Sequence, residues 1–356
     1  MAIDKVLKYG TTASSPLYTT GFKNKIVNGA MQIAQRATTS TAQTATGVRT
    51  ADRWTHSFVS PGSGQYSSTQ NTNFSISSNN YYSLNMTTTT GATIGTGTSI
   101  SIQHNIEATS VVGFMGQTIV ISFWCKVSTA GTYTVAIRNS ATTASYVTSF
   151  LIGTANSPTY ITIPVVLTSS FGAVTPGTGT GMILDFLGNA GSTFQAPALN
   201  SWQTGNYTSH SSATVWANTS SNYIEITQVQ VEIGQTATAF EWRDCGIELF
   251  LCQRDFQYVT TWTGQATGTT IFGLLAKFTP IMRATPTITK VSNALSYMIG
   301  ITPGTTVAGS WTYTAISSGI SISAFVGNIG GNSGLSSGPI CDSGTGTIIF
   351  SAATGN

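Results

Sequence analysis

From Asn24 to Arg243 the chain alternates short runs rich in β-branched and aromatic residues with clusters of Gly, Pro, Ser, Asn and Thr. "KIVNGAMQI", "YYSLNMTT", "QTIVISFWCKVS", "GTYTVAIRNS", "TYITIPVVLTSS" and "YIEITQVQVEIG" each alternate apolar with polar residues, or stay apolar, for about a strand's length. "PGSG", "SSNN", "STAG" and "TPGTGTG" separate them. A period of two sends successive side chains to opposite faces, so such runs are stable only in sheets that bury a face. Many short strands with turn signals between them predict a β-sandwich over residues 24–243. Within it, "ISFWCKVS" reads as a central strand, with Ile121, Phe123 and Cys125 on one face and Ser122, Trp124 and Lys126 on the other.

Charge narrows the reading further. Charged residues make up 7% of the 356, against about 25% in an ordinary soluble protein. Disorder does not fit, because disordered chains lack the aromatic and β-branched residues that are plentiful here. A net charge of +3 without a Lys/Arg run argues against nucleic acid. So few charges give little protection against self-association, and we expect an obligate assembly. No stretch approaches the roughly 20 apolar residues of a membrane span, so membrane insertion is not expected. "MAIDKVLKYG" lacks the apolar core of a secretory signal. Cys125, Cys245, Cys252 and Cys341 form no metal-binding spacing and read as buried reduced thiols. His56, His104 and His210 lie far apart. Nothing in the sequence calls for a metal or cofactor.

Four segments follow. Residues 1–23 carry short apolar patches split by "GTTASSP" and read as an arm that docks on something larger. Residues 24–243 are the sandwich. Residues 244–260, "DCGIELFLCQRDFQYVT", read as a linking helix capped by Asp244. Its apolar residues extend beyond one stripe, so it is expected to be buried on more than one side. Residues 261–356 return to strand-like runs such as "GTTIFGLLAKFTP", "SWTYTAIS" and "GISISAFVG", and predict a smaller C-terminal β-sandwich. Pro280 and Pro286 bracket "IMRAT", which suits an edge or a link.

For chemistry, glycoside hydrolysis usually needs two facing carboxylates. Asp52 sits beside Arg49 and Arg53 and reads as an ion-pair member, while Glu107 and Asp185 have no partner nearby in sequence. No G-x-S-x-G elbow occurs, and "GTGTGMI" lacks the Lys of a phosphate loop. A non-enzymatic reading is therefore preferred. Sugar binding asks only for aromatic faces beside polar groups. Tyr81 and Tyr82 after "SSNN", Trp202 and Tyr207 in "NSWQTGNYTSH", and Trp216 in "TVWANTSSNY" are the candidates. For each, a place in the core or at a subunit contact is the competing reading. If the "NSWQTGNYTSH" aromatics are exposed, receptor binding is favoured; if packed, a purely structural role is favoured.

Four blocks, "IVNGAMQIAQR", "TADRW", "ITQVQVEIGQTATAFEWRDCGIELFLCQRDFQYV" and "FTPIMRATPTIT", stand in order from Ile26 to Thr289. In these the chain resembles bacteriophage tail-fibre or receptor-binding-type virion proteins with a carbohydrate-binding-like jelly-roll domain. Where family members often show "YRPYGEELALCQRYY", this chain reads "EWRDCGIELFLCQRDF", which keeps Cys252, Gln253 and Arg254. The resemblance implies a jelly-roll-like sandwich in a fibre or appendage subunit, assembled as a homotrimer. It further implies an arm that joins other virion proteins, synthesis in the host cytoplasm, and binding to a host-surface polysaccharide. A head-decoration or tail-associated subunit without receptor binding is one alternative; a capsular polysaccharide depolymerase is another. A lectin-like cellular module is disfavoured by the lack of a signal. The resemblance also suggests that Arg36, Asp52, Arg53 and Trp54 lie beside Glu241, Trp242, Arg243, Asp244 and Arg254. In that junction Arg53 or Arg243 would pair with Asp52, Glu241 or Asp244, with Trp54 and Trp242 packed nearby.

Overall fold

The computed structural model describes residues 21–258 apart from 92, the backbone of strands as far as residue 351, and a few side chains between 278 and 287. Of the arm, residues 1–20 lie outside the described residues, as do many C-terminal loops. The strands are β1 (Thr39–Gln43), β2 (Gly47–Val48), β3 (Trp54–Val59), β4 (Gln65–Ile76), β5 (Asn79–Thr90), β6 (Ser99–Glu107), β7 (Thr118–Val127), β8 (Gly131–Asn139), β9 (Ala144–Ile152), β10 (Thr159–Val166), β11 (Thr180–Ala190), β12 (Trp202–Thr204) and β13 (Tyr223–Ile233). They form a six-stranded sheet, β1-β4-β5-β13-β7-β10, and a seven-stranded sheet, β12-β9-β8-β11-β6-β3-β2. Neighbours in both sheets are antiparallel. The protein is all-β, with a jelly-roll-like sandwich as its main body.

The core lies between these sheets, where alternation directs it. β7 runs between β13 and β10, and its Ile121, Phe123 and Cys125 are fully buried. Trp124, on the opposite face, packs against Tyr160 at 5.2 Å, and Lys126 pairs with Glu225 at 2.8 Å. Trp54 on β3 and Phe186 on β11 meet at 5.7 Å, and Phe186 meets Phe123 edge-on at 5.2 Å. Burying each such ring is worth about 1.5–3 kcal/mol.

"KIVNGAMQI", read as the first strand, is instead an irregular segment with a turn over residues 27–30. Asn28 and Met31 both have φ of 58°, left-handed conformations that end strand pairing. The Asn28 amide closes the turn: Oδ1 accepts from Ile33 N–H at 3.0 Å, and Nδ2 donates to the carbonyls of Ile33 at 2.8 Å and Asp52 at 2.9 Å. Gly29 is obligatory, because a Cβ there would stand 2.2 Å from the Val229 carbonyl oxygen. Asn-Gly is itself a turn signal, and in this segment it outweighs the apolar run.

The helix also departs from expectation. After α1, a four-residue turn at Ala108–Val111, the second helix, α2, spans Cys245–Gln253. Asp244 caps it as expected, accepting from Gly246 N–H at 2.8 Å. The helix stops short of residue 260 because Phe256–Val259 forms a strand, β14, that pairs with Ile348–Ser351. Gln257 helps to hold this change of course by donating to the Gln253 carbonyl at 2.9 Å and the Pro280 carbonyl at 2.7 Å. The described side chains of α2 are not buried all round: Glu248 and Cys252 are buried, whereas Ile247 is 45% and Phe250 50% exposed. Cys245 is exposed too, unlike the buried thiol expected. Beyond α2, the described strands form a three-stranded sheet with β14, a seven-stranded antiparallel sheet and a two-stranded one. Of "IMRAT", residues 281–284 form a link rather than a strand, and Arg283 N–H donates to the Arg254 carbonyl at 2.9 Å.

His56 and His104 point inward from β3 and β6 and are buried. Burial, then the Arg49 charge, lowers His56 to about 4; burial, then the Arg53 and Arg243 charges, holds His104 well below the ordinary histidine range. Unfolded imidazoles take protons near pH about 6.5, while the folded ones stay neutral, so stability is complete above that pH and is lost as pH falls towards 4. For His56 alone the loss reaches about 3 kcal/mol. Thermal melts from pH 7.5 downward are expected to show falling midpoints, with a shallower fall in His56→Gln; identical slopes would refute this account.

Candidate functional site

Alternation that fills the core also decorates the outer face of the seven-stranded sheet. Outward from β3 come Thr55 and Ser57, from β6 Ser101, Gln103 and Asn105, from β11 Ile183 and Asp185, and from β8 Arg138. Cross-strand register sets Thr55, Gln103, Asp185 and Ala136 in one row. An open groove of about 570 Å³ runs over this face. Thr46 borders it on one side and Ser140, Thr142 and Asn206 on the other.

Its floor holds a buried ion pair. Arg138 Nε donates to Asp185 Oδ2 at 2.8 Å, and Arg138 Nη1 donates to Asn206 Oδ1 at 2.7 Å. Asp185 Oδ1 accepts from Ser101 Oγ at 2.8 Å and Gln103 Nε2 at 3.2 Å. The floor is therefore polar, rigid and electrically neutral. Asn105 lines the groove, and its Oδ1 is buried without a hydrogen-bond partner. Hydroxyls of Thr55, Ser57 and Thr180 supply both donors and acceptors. Such a surface can exchange hydrogen bonds with a neutral, hydroxyl-rich ligand. No carboxylate lines the groove among the described residues, and Asp185 beneath it has both oxygens engaged, so the two-carboxylate arrangement of a glycosidase is not built in this groove. No group of three His, Cys, Asp or Glu among the described residues could hold a metal ion.

The five aromatic candidates do not converge on this groove. Trp216 is in the core, its Nε1 donating to the Leu187 carbonyl at 2.9 Å, and cannot serve as a sugar platform. Trp202 packs against Tyr146 and Phe171, and its Nε1 donates to the Val166 carbonyl at 2.9 Å. Tyr207 is half-buried against Ala136, Val147 and Ala196 on the outer face, next in sequence to the groove residue Asn206. Tyr81 stacks on Trp242 at 5.6 Å on the other sheet, and Tyr82 beside it is 42% exposed. Sequence reading passed over Gln103, Asn105, Arg138 and Asn206; the outward phase of "SISIQHNIE" and "TVAIRNS" was the available signal.

The junction is real in part, with different pairings. Asp52 accepts from Arg36 Nη1 at 3.4 Å and from Gln35, rather than from Arg53. Arg53 pairs with Asp255, which also takes Arg283. Arg243 pairs with Glu241 at 3.3 Å, as expected, and with Glu248 at 3.4 Å. Asp244 serves the helix cap. Arg254 forms a two-pronged pair with Glu107, at 2.8 and 3.1 Å. Trp54 is buried, with Nε1 donating to the Asn28 carbonyl at 2.9 Å, whereas Trp242 lies half-exposed against Tyr81 and Phe240 rather than beside it.

No family model and no curated protein matches the chain. Solved structures with some likeness include a family 11 carbohydrate-binding module from Clostridium thermocellum in complex with a β-1,3-1,4-mixed-linked tetrasaccharide. It is 11% identical, with a TM-score of 0.29, over 56% of this chain and 98% of that one. A CBM4 structure is 13% identical, with a TM-score of 0.27, over 59% and 99%. TmCBM61 in complex with β-1,4-galactotriose is 7% identical, with a TM-score of 0.23, over 60% and 100%.

Asp52 yields a test of the junction. Burial outweighs the Gln35 and Arg36 contacts and raises its carboxyl to about 6. The folded state thus takes this proton before the unfolded state, so the contribution to stability is full below about pH 4 and is lost as pH rises through 6, by about 3 kcal/mol. This opposes the histidine effect. Asp52→Asn should lose more stability than the parent chain on acidification from pH 6 to 4, measured by urea unfolding; parallel curves would overturn the assignment.

Proposed function

We propose that the chain is a non-enzymatic bacteriophage appendage subunit whose sandwich binds a neutral polysaccharide of the host surface. The groove over Gln103, Asn105, Arg138 and Asp185 carries this reading. Its net neutrality and its lining of amides and hydroxyls suit uncharged sugar hydroxyls, and its volume of about 570 Å³ suits a ligand larger than one small molecule of solvent. The virion context comes from the ordered sequence blocks between Ile26 and Thr289. Residues 1–23 would be the attachment arm. The half-exposed Ile247, Phe250 and Trp242 give a low-charge chain an apolar face for homotrimer contacts.

A structural subunit without receptor binding is the second reading, favoured by the packing of Trp202 and Tyr207 against their own sheet. Affinity electrophoresis against purified host polysaccharides separates the two. Under the first reading, a retarded band is expected for the parent chain. Gln103→Ala and Asn206→Ala should each weaken retardation roughly ten-fold, the effect of about 1.4 kcal/mol in lost hydrogen bonding. Tyr82→Ala should behave like the parent. No retardation by any host polysaccharide would leave the structural reading standing. Light scattering is expected to give three times the chain mass, and Phe250→Glu should lower it; a monomeric parent chain would refute the trimer.

A further inference from the structure

On the outer face of the six-stranded sheet, an amine and a carboxamide converge on a buried carboxylate. Glu225 lies on β13, and its side chain is 1% exposed. Its Oε2 pairs with Lys126 Nζ, from β7, at 2.8 Å. Its Oε1 accepts from Asn71 Nδ2, from β4, at 2.8 Å and from Ser83 Oγ, from β5, at 2.6 Å. The adjacent strands β4-β5-β13-β7 thus each send a side chain to this point. Phe74 of β4 is fully buried, and Lys126 Nζ stands 4.9 Å from its ring centroid, so the ammonium faces an aromatic ring as well as the carboxylate.

A lysine amine becomes a nucleophile when an adjacent base takes its proton and a third group holds that base in place. Glu225 is so placed beside Lys126, and Ser83 holds it. The group it brings to the amine is a carboxamide, with an electrophilic Cγ and a nitrogen that can leave as ammonia. Fixing amine, base and carboxamide side by side lowers the entropic part of the barrier to joining them. We propose that Lys126 and Asn71 form an intramolecular isopeptide bond, with Glu225 as the catalytic proton carrier. Glu225 takes a proton from the Lys126 ammonium. The Nζ lone pair attacks Asn71 Cγ, the N–C bond forms, and the carbonyl pair moves onto Oδ1. Glu225 gives its proton to Nδ2 and takes a second one from Nζ. The Oδ1 pair then restores the carbonyl, the Cγ–Nδ2 bond breaks, and ammonia leaves. Ammonium, carboxylate and carboxamide become a secondary amide, a carboxylic acid and ammonia, with no oxidant or further reactant. A buried ion pair gives way to neutral groups, which removes the cost of keeping two charges out of water. The product ties β4 to β7 across β5 and β13, a covalent brace for the sheet.

Mass spectrometry of the denatured full chain reads the bond as a deficit of one ammonia, and a protease digest reads it as a branched peptide joining residues 71 and 126. Both are expected in the parent chain and in Asn85→Ala. Asn85 stands directly opposite Glu225 in register, but its Oδ1 accepts from Thr87 Oγ1 at 2.7 Å. Lys126→Met, Asn71→Ala and Glu225→Gln should each lack the branched peptide; the last keeps both partners and loses only the base. Succinimide formation at an asparagine also releases ammonia, so a deficit without the branched peptide overturns the proposal. A parent chain of full mass after prolonged incubation at neutral pH overturns it too, whether or not the variants fold. An undiminished branched peptide in Glu225→Gln overturns the role of the carboxylate.

Discussion

The turn at Asn28 and Gly29 holds together parts of the chain that are remote in sequence. Its side-chain amide closes the turn and reaches the Asp52 carbonyl at the entrance to β3, while the Asn28 carbonyl takes the Trp54 indole. Gly29 lies against β13, where Val229 N–H donates to its carbonyl at 2.9 Å. The Asn28 N–H meets the Glu248 carboxylate of α2. Asn24 extends the clasp, with Oδ1 accepting from Val231 N–H at 3.0 Å and from Ile26 N–H at 2.9 Å. Start and end of the sandwich are thus tied at one place, and the helix leaves from there. Since each unsatisfied buried donor costs about 1–3 kcal/mol, this arrangement is hard to relax piecemeal.

Scarcity of charge makes each ionised group informative. In the sandwich, the pairs Arg138–Asp185 and Lys126–Glu225 brace opposite sheets. At the junction Asp255 draws together Arg53 on the sandwich and Arg283 on the link that follows the helix. Breaking such a buried pair by deleting one member costs about 3–5 kcal/mol, because the other charge is then stranded. Arg53 itself has φ of 74°, a left-handed conformation that a non-glycine residue holds only when its surroundings fix it. Its contacts with Asp255 and the Asn105 carbonyl provide that restraint.

The same contact ties the groove to the junction. Arg53 lines a smaller cavity beside Arg243 and Arg254, and its Nη2 donates to the Asn105 carbonyl at 3.0 Å. The Asn105 side chain lines the groove. One strand, β6, therefore presents hydroxyl and amide chemistry outward, apolar residues and a neutral histidine inward, and Glu107 to Arg254 at its end.

Much of the fold was legible in the sequence, because period-two alternation reports directly which face of a strand is buried. "ISFWCKVS" gave both its faces and its central position, and Asp244 announced the start of α2. Where local signals competed, reading failed: "NGAM" looked like strand but contains the Asn-Gly turn, and "DFQYV" looked helical until β14 found a strand partner near residue 350. The site was less legible. Aromatics attracted attention as sugar platforms, yet Trp216 fills the core and Trp202 covers a sheet edge, since a large ring gains more by burial than by waiting for a ligand. Sequence by itself determined the all-β class, the alternation that separates core from outer face, and the sparse charge that forces its ionised groups into partnerships. Only the tertiary structure decided which groups meet, placing Asp185 with Arg138, Glu107 with Arg254 and Asp255 with two arginines, because register and long-range closure, not spacing along the chain, bring those side chains within hydrogen-bond reach.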